Sequence, residues 1–494
     1  MPIFSQHDLP EVFGSGEFNK DKIYYLQRAG TVKRIASSLY TSCIGEDLNK
    51  IVARNLWRIV AILYPKAIVS ERSAIEMKPS KDGSIFIISD KKRYTSVGNI
   101  VIRPKKGARR RPEDAPFMEN LFMASPARII LENAMPSRSG KHSVRRGLSQ
   151  TELEEYLDRF IGDKGEAAVN KLRDQMKKIA PKLKLESEFK RVNKIISALL
   201  QTHGGNLKSK SAIARSAGFP FDGRRIEIFK LLYSELKKIA PVIRAGKFNK
   251  NLVFFESYFS NFIEGTEFAI DEARDIIFRN VVPSNRPDDA HDIQGTFKIA
   301  ADNAQMKKIP ATFDDFMDLL KTRHKTLMSY RSDKNPGILK ERSNQAGTTL
   351  FVAPQLAIGT LKQGFEIYKK LDEAFSRAVF MMFLVSEVHP FNDGNGRIGR
   401  IMMNAELANA DEQRIIIPTI YRTNYISALK ALSHSKHPMP LIRTLNFAQK
   451  YTGAIGWNNF KTALDTLTKT NAFMDPYEAD ENGIRLTLPS RIIG

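Results

Sequence analysis

The 494-residue sequence has very little cysteine and no long apolar run. Cys43 is its one cysteine, which excludes a disulfide scaffold and a cysteine-rich zinc site and suits a reducing compartment. No uninterrupted apolar stretch approaches the roughly 20 residues that a membrane-spanning helix needs. The first residues also lack the basic segment and apolar core of a secretory signal. These absences predict a cytoplasmic protein that does not associate with membranes.

What the sequence does contain is enough apolar material for several cores. Hydrophobic residues make up 42% and aromatic residues 9% of the chain, which excludes a disordered basic tail. Since domains usually comprise roughly 100 to 200 residues, the length predicts two to four of them.

Positive charge is concentrated in the N-terminal half. The whole chain has 77 Lys and Arg against 54 Asp and Glu, a net charge of +23. Residues 1–250 have 48 against 26, or +22, whereas residues 251–494 have 29 against 28, or +1. A positive field attracts polyanions, so nucleic acid is the first partner to consider for this half. The alternative is a solvated surface that keeps the protein soluble.

Two parts of the N-terminal half are typical of a DNA-binding module. A short helix, a turn at Gly30 and an extended segment ending near Tyr40 outline a small winged helix-turn-helix. Two strands rich in Ile or Val then precede the densest cationic run of the chain, whose side chains would position phosphates without reading bases. The candidate DNA contacts in this run are Arg109, Arg110 and Arg111.

The order of these parts resembles the AbiEi-type family of antitoxins and transcriptional regulators. The resemblance covers roughly residues 1–180 and rests on YLQRAGTVKRIASSLYT, IVSERSAIEM, the two strands and ARIILENAM. It implies a DNA-binding winged helix, with Lys33 and Arg34 near the recognition edge as further candidate DNA contacts. The alternative is an ordinary α+β domain, in which a helix, a turn and an extended segment also occur.

The strongest chemical pattern is HPFNDGNGRIGR, from His389 to Arg400. Gly394 and Gly396 allow a tight turn at a helix N-terminus, where bare N–H groups converge on an anion. Asn395 adds a neutral donor to this group of residues, which we call the anion cradle. The pattern predicts a phosphate-binding site.

Charged residues beside the cradle predict the chemistry. Arg397 and Arg400 offer planar cations for phosphate oxygens. Asp393 would repel phosphate unless a divalent ion such as Mg²⁺ lay between them. His389 is the side chain best suited to accept a proton near neutral pH. Together they predict transfer of a phosphate-containing group to a hydroxyl.

The same stretch resembles the core motif of the Fic family, HxFx(D/E)GNGRxxR, at every specified position, and the resemblance extends over about residues 250–450. It implies a mainly α-helical Fic core with a β-hairpin flap. It also implies transfer of AMP from ATP to a Ser, Thr or Tyr hydroxyl of a protein, with release of pyrophosphate. By resemblance, His389 is the general base, Asp393 binds Mg²⁺ and Phe391 packs inward. The implied nucleotide-binding residues are Gly394, Asn395, Gly396, Arg397 and Arg400.

A flap for the protein target is expected just upstream. GTTLFVAP, residues 347–354, resembles the Fic flap, and the β-prone residues after Gly347 predict a hairpin whose edge pairs with an extended target. The alternative is a short loop that caps the core. The expected target-binding residues are Thr349, Leu350, Phe351 and Val352.

An inhibitory motif precedes the core. SNFIEG, Ser260 to Gly265, resembles the (S/T)xxxE(G/N) motif of many Fic proteins. Ser260 and Glu264 are four residues apart and therefore share a helix face, from which Glu264 could pair with Arg400. The resemblance implies autoinhibition. The alternative is an exposed Glu at an ordinary helix end, with Gly265 as the terminating residue.

The patterns together predict a multidomain chain. We expect a basic α+β, winged-helix-like region at 1–180, a helical connector at 181–249, a Fic domain at 250–455 with its inhibitory helix near 252–265, and an extension at 456–494. The remaining histidines show no metal-ligand spacing and are expected to be surface or core residues. They include His291, His324, His434 and His437.

The expected function is an autoinhibited protein adenylyltransferase that uses ATP and Mg²⁺ and is fused to a DNA-binding module, as in a toxin–antitoxin unit. Fic proteins commonly form dimers, so a homodimer stays open. A DNA-binding regulator with a regulatory Fic module is one alternative, and removal of AMP from a target is another. A third alternative is a different transferred group, such as UMP, phosphocholine or phosphate, although the intact Gly-Asn-Gly disfavours simple phosphate transfer.

Overall fold

The computed structural model describes residues 9–137, 144–239 and 244–489. The chain divides into two units, Met1–Gly218 and Phe219–Gly494. This division lies inside the expected connector. It assigns 40 Lys and Arg against 23 Asp and Glu to the first unit, or +17, and 37 against 31 to the second, or +6. The positive excess is therefore shared between the units more evenly than the division into halves indicates.

The strands of the first unit form two sheets. The strands are β1 (Val12–Gly14), β2 (Lys33–Ala36), β3 (Leu39–Thr41), β4 (Ile68–Val69), β5 (Ser84–Ile88), β6 (Thr95–Val97), β7 (Ile100–Lys105), β8 (Ala115–Pro116) and β9 (Phe122–Met123). One sheet is antiparallel with the order β1-β3-β2. The other has the order β6-β7-β5-β4-β9-β8, with β5 parallel to β7 and β4 parallel to β9. The apolar alternation of β7 places every second residue in the core.

The later helices of the first unit share one apolar core. The helices are α1 (Lys20–Arg28), α2 (Leu48–Arg54), α3 (Leu56–Leu63), α4 (Glu71–Glu76), α5 (Pro126–Asn133), α6 (Gln150–Lys164), α7 (Glu166–Leu183), α8 (Glu186–Leu199) and α9 (Lys210–Ser216). The apolar faces of α5 to α9 share one core, which runs from Ala127 to Ala212. The structure therefore differs from the expected boundary at residue 180, which lies inside α7, because this shared core continues past it.

The α+β character of the N-terminal region is confirmed. Helix α1, the turn at Gly30 and the β2–β3 hairpin follow in the expected order. Within the described residues, however, α2 begins only after the hairpin, so no second helix stands between α1 and the hairpin as a helix-turn-helix requires. The winged-helix and antitoxin interpretations stay predictions.

The second unit is almost entirely helical. Its helices are α10 (Gly223–Leu236), α11 (Lys250–Ile263), α12 (Ile270–Arg279), α13 (Pro287–Ala301), α14 (Asn303–Met306), α15 (Phe313–Leu327), α16 (Pro354–Tyr368), α17 (Ala374–Val388), α18 (Asn395–Asn409), α19 (Arg422–Ser435), α20 (Met439–Gly453), α21 (Phe460–Lys469) and α22 (Pro476–Glu481). A two-stranded hairpin, β10 (Gln345–Ala346) and β11 (Thr349–Leu350), precedes α16. This mainly helical core with a hairpin agrees with the expected fold class.

Two apolar clusters position the helices that matter for function. Helix α17 is buried along its length except at Arg377 and Ser386, and it packs against α18 in the larger cluster. Helix α11 belongs to a smaller cluster, in which Phe255 stacks on Phe460 and Phe259 stacks on Phe473. The expected extension after residue 456 is thus part of the packing around α11, although residues 490–494 lie outside the described range.

No helix within the described ranges is both long and apolar enough to cross a bilayer.

Candidate active site

The loop between α17 and α18 brings the motif residues together. His389 ends α17 with φ of 54°, and Gly394 begins α18 with φ of 72°. A Cβ built on Gly394 would be 3.0 Å from Met328 Sδ and 3.4 Å from His324 Nε2. Both the left-handed backbone and the limited space therefore require glycine here. Because Gly394 has no side chain to cap α18, the positive end of the helix is left for another anion.

A backbone contact fixes the tautomer of His389. Its Nδ1 lies 3.2 Å from the carbonyl oxygen of Ser386, which can only accept, so Nδ1 carries the proton and Nε2 is left to accept one. Burial lowers the pKa of His389 to about 4, and the Lys340 charge acts in the same direction. The imidazole is consequently neutral near pH 7.

The flap hairpin lies next to His389. Ala346 pairs with Thr349, and Gly347 has φ of 57° in the two-residue turn, so the expected hairpin is present. The Phe351 ring stacks on the His389 ring with centroids 3.7 Å apart and planes 6° apart. Leu350 is 61% exposed.

Val352 differs from the expected target contacts, because its side chain is 1% exposed and belongs to the core. The difference arises because Val352 lies beyond the end of β11, where its side chain packs among apolar residues of the larger cluster. A target segment on the flap edge could not reach this side chain.

Arg400 is held by Ser260 and Glu264 of the SNFIEG segment. Its Nε donates to Ser260 Oγ at 3.0 Å, and one terminal nitrogen donates both to the Ser260 carbonyl at 2.8 Å and to Glu264 Oε1 at 2.6 Å. The three contacts join positions about 140 residues apart in sequence. The pairing that the sequence analysis expected is therefore present.

The Glu264 carboxylate also lies over the cradle. A Cβ built on Gly396 would be only 2.2 Å from Glu264 Oε1. Glu264 caps the C-terminal end of α11, and the chain leaves that helix through Gly265 with φ of 97°. Burial would raise the pKa of Glu264, but the charge of Arg400 and its hydrogen bond outweigh burial and lower it. An ionised carboxylate thus faces the position where a phosphate would meet the helix N-terminus.

Two motif residues make contacts that the sequence analysis did not anticipate. Asn395 was expected to donate to an anion, but its side-chain amide accepts from Phe391 N and donates to Phe391 O, both at 2.9 Å, and therefore shapes the loop. Arg397 lies 2.6 Å from Asp292 on α13 and 3.7 Å from Asp393, with its side chain 3% exposed. Asp292 stands about 100 residues upstream, without a local signal that would mark it.

His324 supports the motif loop and is more than a space-filling core residue. Its ring stacks on Phe391 with centroids 3.6 Å apart. Its Nε2 lies 3.0 Å from the Asp393 carbonyl, and its Nδ1 accepts from Gly337 N at 2.9 Å. Phe391 is fully buried, as expected. Burial lowers the pKa of His324 to about 4, so the ring stays neutral and keeps the tautomer that these contacts need.

Asp393 offers one carboxylate at the edge of the cradle. Its side chain is 42% exposed, and its Oδ1 accepts from Gly394 N at 2.6 Å. No group of three or more His, Cys, Asp or Glu that could hold a metal occurs in residues 9–137, 144–239 and 244–489. The single carboxylate of Asp393 fits Mg²⁺, because this ion is commonly held by one or two carboxylates together with substrate phosphates and water.

The candidate DNA contacts lie in the first unit, outside this site. Lys33, Arg34, Arg109 and Arg110 are exposed, and Arg110 lies over the Phe122 ring at 4.0 Å. Arg111 differs from the expectation, because it is half-buried and pairs with Glu113 at 3.3 Å.

The backbone of the cationic run is fixed from beneath. Arg128 donates to the carbonyl of Ala108 at 2.7 Å and to that of Arg109 at 3.4 Å. These contacts hold the backbone of the run in one place at Ala108 and Arg109.

Residues 314–407 match the sequence model of the Fic/DOC family. The chain contains a Fic domain. The matched range includes the flap, His389 and the cradle, whereas Ser260, Glu264 and Asp292 precede it.

Known proteins are similar to this chain over the same region. The protein adenylyltransferase Fic of Drosophila persimilis is 26% identical over 219 residues, which are 42% of this chain and 41% of the relative. That of Drosophila melanogaster is 27% identical over 232 residues, or 45% and 46%. The chain spans less than half the length of these curated relatives.

Two solved structures align with lower identity. A signalling protein with a Fic domain from Bacteroides thetaiotaomicron has a TM-score of 0.35 and 18% identity, covering 47% of this chain and 98% of that one. Fic-1 of C. elegans, residues 134–508, has a TM-score of 0.36 and 15% identity, covering 65% and 99%.

Proposed function

We propose that this protein is an adenylyltransferase that transfers AMP from ATP to a hydroxyl of a protein and is inhibited by its own Glu264. The observation that carries the proposal is the carboxylate of Glu264 on Arg400, directly over the N-terminus of α18 and next to a neutral His389. The position that Glu264 occupies is one that a phosphate would need. The relatives named as protein adenylyltransferases support AMP as the transferred group.

In the proposed reaction, Nε2 of His389 removes the proton from the acceptor hydroxyl. The hydroxyl oxygen then bonds to the α-phosphorus of ATP, and the bond from that phosphorus to the bridging oxygen breaks. Pyrophosphate leaves with the bonding electrons. The cradle N–H groups and Arg400 bind the phosphate oxygens, which needs Glu264 to move off Arg400. Mg²⁺, held by Asp393 and phosphate oxygens, would neutralise charge on the leaving pyrophosphate.

The test is incubation of the protein with Mg²⁺ and either α-labelled or γ-labelled ATP. We expect Glu264→Gly to incorporate α-label at least about tenfold faster than the wild type, since it frees a buried cation for phosphate. Glu267→Gly is the matched control, because Glu267 is an exposed glutamate three residues further on. Label from the γ position alone would contradict AMP transfer, and equal incorporation by Glu264→Gly and wild type would contradict inhibition.

His389→Ala, made in the Glu264→Gly protein, tests the base. Loss of a general base slows transfer by about 10²- to 10⁴-fold. Binding of a fluorescent ATP analogue is expected to stay within about twofold, because His389 acts on the acceptor hydroxyl. Persistent transfer would remove His389 from this role.

The same site supports a reverse reaction as a second proposal. Glu264 is ionised, half-exposed and close to the cradle, so it could orient water toward an AMP group already on a protein. Release of AMP from a self-modified sample by wild type, but not by Glu264→Gly, would support this reaction. Release by both variants would contradict it.

We also propose nucleic-acid binding by the first unit, since a basic run with a fixed backbone offers phosphate contacts without first having to be ordered. Arg109→Gln with Arg110→Gln should weaken DNA binding by the full chain and lower the salt dependence of log K by about 2 for two lost phosphate contacts. Lys182→Gln with Lys184→Gln is the control for net charge. Equal effects of the two double variants would mean that binding depends only on net charge, which would contradict contacts made by this run.

A further inference from the structure

Arg225 on α10 connects the flap to the catalytic helix, although it lies far from both in sequence. One terminal nitrogen of its guanidinium donates to the Leu350 carbonyl at 2.7 Å. The other donates to the carboxylate of Glu387, with which it forms an ion pair. Glu387 stands on α17 two residues before His389. A single planar cation therefore touches the flap strand and the helix that carries the base.

The end of α19 contacts both the flap and Glu387. Ser433 Oγ donates to the second carboxylate oxygen of Glu387 at 2.5 Å. The next residue, His434, lies with Nε2 2.9 Å from Thr349 Oγ1. Thr349 and Leu350, the two residues of β11, thus each contact a side chain from the body of the unit.

The flap needs such contacts to keep one position. Its strands are two residues each, and an isolated hairpin is at best marginally stable in water. Phe351 stacks on His389 and follows β11 directly, so the position of its ring depends on the position of β11. The position of the flap over the base therefore depends on side chains outside the hairpin.

The burial of the Arg225–Glu387 pair indicates that the pair fixes the relative positions of its partners rather than adding stability. Glu387 is 3% and Arg225 is 14% exposed at the side chain. Burial raises the pKa of Glu387 against the opposing charge of Arg225. Buried ion pairs often contribute little net stability compared with apolar residues of similar size, and their best-attested role is to specify one arrangement.

We propose that Arg225, oriented by Glu387, is a positioning residue for the acceptor side of the reaction: it sets the height of the flap over His389 and so aligns the acceptor hydroxyl. We do not expect Arg225 to affect nucleotide binding. The cation that is expected to bind phosphate is Arg400, whose contacts are with Ser260 and Glu264. The inference rests on the proposed function, because it assumes transfer to a protein hydroxyl.

The experiment uses the full chain with Glu264→Gly as the parent. Arg225→Lys keeps the charge beside Glu387 but loses the planar pair of donors that reaches both partners. We expect self-incorporation of α-labelled ATP to fall about tenfold to a hundredfold, as a small misplacement of reacting groups does. Binding of a fluorescent ATP analogue should stay within about twofold, because loss of an interaction needed only for transfer leaves ground-state binding unchanged. Arg224→Lys, at the exposed neighbouring arginine, is the matched control.

Hydrogen–deuterium exchange of residues 345–352 provides a readout that does not need activity. Arg225→Lys should speed exchange there, whereas Arg224→Lys should not. Incorporation close to that of the parent, unchanged exchange, or a loss of nucleotide affinity as large as the loss of incorporation would each overturn the inference. If the parent itself incorporates no label, the proposed function fails, and the exchange measurement still decides whether Arg225 holds the flap.

Discussion

Each unit contains a buried arginine that pairs with carboxylate groups, two in the first unit and one in the second, and the two sites differ in how exposed the carboxylates are. In the first unit, Arg128 contacts Asp114 at 2.6 Å and Glu132 at 2.8 Å, and the side chains of the two acids are 0% and 8% exposed. In the second unit, Arg400 contacts Glu264 at 2.6 Å, and that side chain is 37% exposed. An enclosed carboxylate cannot be exchanged for an anion from solution, whereas a half-exposed one can.

The surroundings of the two arginines reinforce the contrast. Arg128 also donates to two backbone carbonyls, so its donors are used to fix a loop. Arg400 stands beside a glycine-rich helix N-terminus, where a second anion is favoured. The same ion-pair chemistry therefore stabilises structure in one unit and leaves an exchangeable site in the other.

The largest effect is expected from breaking the enclosed pair. Asp114→Ala leaves Arg128 buried with one carboxylate fewer and should reduce the free energy of unfolding of the first unit by about 3–5 kcal/mol. Glu264→Ala should cost the second unit less, about 1–3 kcal/mol, because it leaves the buried Arg400 guanidinium short of one acceptor, while solvent already screens the half-exposed carboxylate.

The two tryptophans permit separate measurements. Trp57 belongs to the first unit and Trp457 to the second, so urea unfolding can be followed by fluorescence in a Trp457→Phe or a Trp57→Phe background. Equal losses for the two substitutions would contradict the contrast between an enclosed and an exchangeable carboxylate.

A smaller effect should sharpen the position of Glu264. Gly396→Ala places a Cβ 2.2 Å from Glu264 Oε1, so it should destabilise the wild type by about 1–3 kcal/mol through overpacking. In the Glu264→Gly protein the clash with the carboxylate is absent and only the far end of the Arg400 side chain, at 3.2 Å, stays close, so the cost should be clearly smaller.

The measurement is a double-mutant cycle on urea unfolding, followed by Trp457 fluorescence. Gly399→Ala, at the next glycine of α18, would meet Ser386 Oγ at 2.8 Å and not Glu264, so its cost should be independent of the Glu264 substitution. An identical cost of Gly396→Ala in both backgrounds would place the carboxylate elsewhere in solution.

The smallest effect is expected from pH. The folded-state pKa of Glu264 is lowered, so its pair with Arg400 is present above the ordinary carboxyl value and is lost only as pH falls through the lowered value. With the pKa of His389 at about 4, the base also stays neutral over the mildly acidic range.

Incorporation of α-label by the wild type should consequently not increase between about pH 8 and about pH 5.5, since Glu264 remains ionised there. The Glu264→Gly protein should show a flat profile over the same range and lose activity as His389 becomes protonated at lower pH. Stimulation of the wild type by mild acid would mean that Glu264 is released by protonation.

Local patterns predicted the parts of the fold and site that depend on neighbouring residues. The hairpin turn at Gly347 and the tight turn at Gly394 that begins α18 both follow from residues within one or two turns. The contact between Glu264 and Arg400 was accessible only through the resemblance to a family, because periodicity places Ser260 and Glu264 on one face without naming the helix that this face meets.

Other contacts had no local signal. These contacts are Asp292 with Arg397, His324 with the Asp393 carbonyl, and Arg225 with Leu350 and Glu387, and they join residues 69 to 162 positions apart along the chain. Side chains at such separations meet only when the helices between them have packed.

By itself, the sequence determined which chemical groups stand at the α17–α18 turn, because a glycine-rich helix start and the adjacent His, Asp and Arg are encoded within twelve consecutive residues. Only the tertiary structure decided which of these groups are engaged. Packing of α11 against the α18 N-terminus assigns Arg400 to Glu264, packing of α13 assigns Arg397 to Asp292, and packing of α10 holds the flap over His389. The reason is physical: a charged group that leaves water takes whichever partner the packed chain brings within reach, and that partner is set by the arrangement of helices.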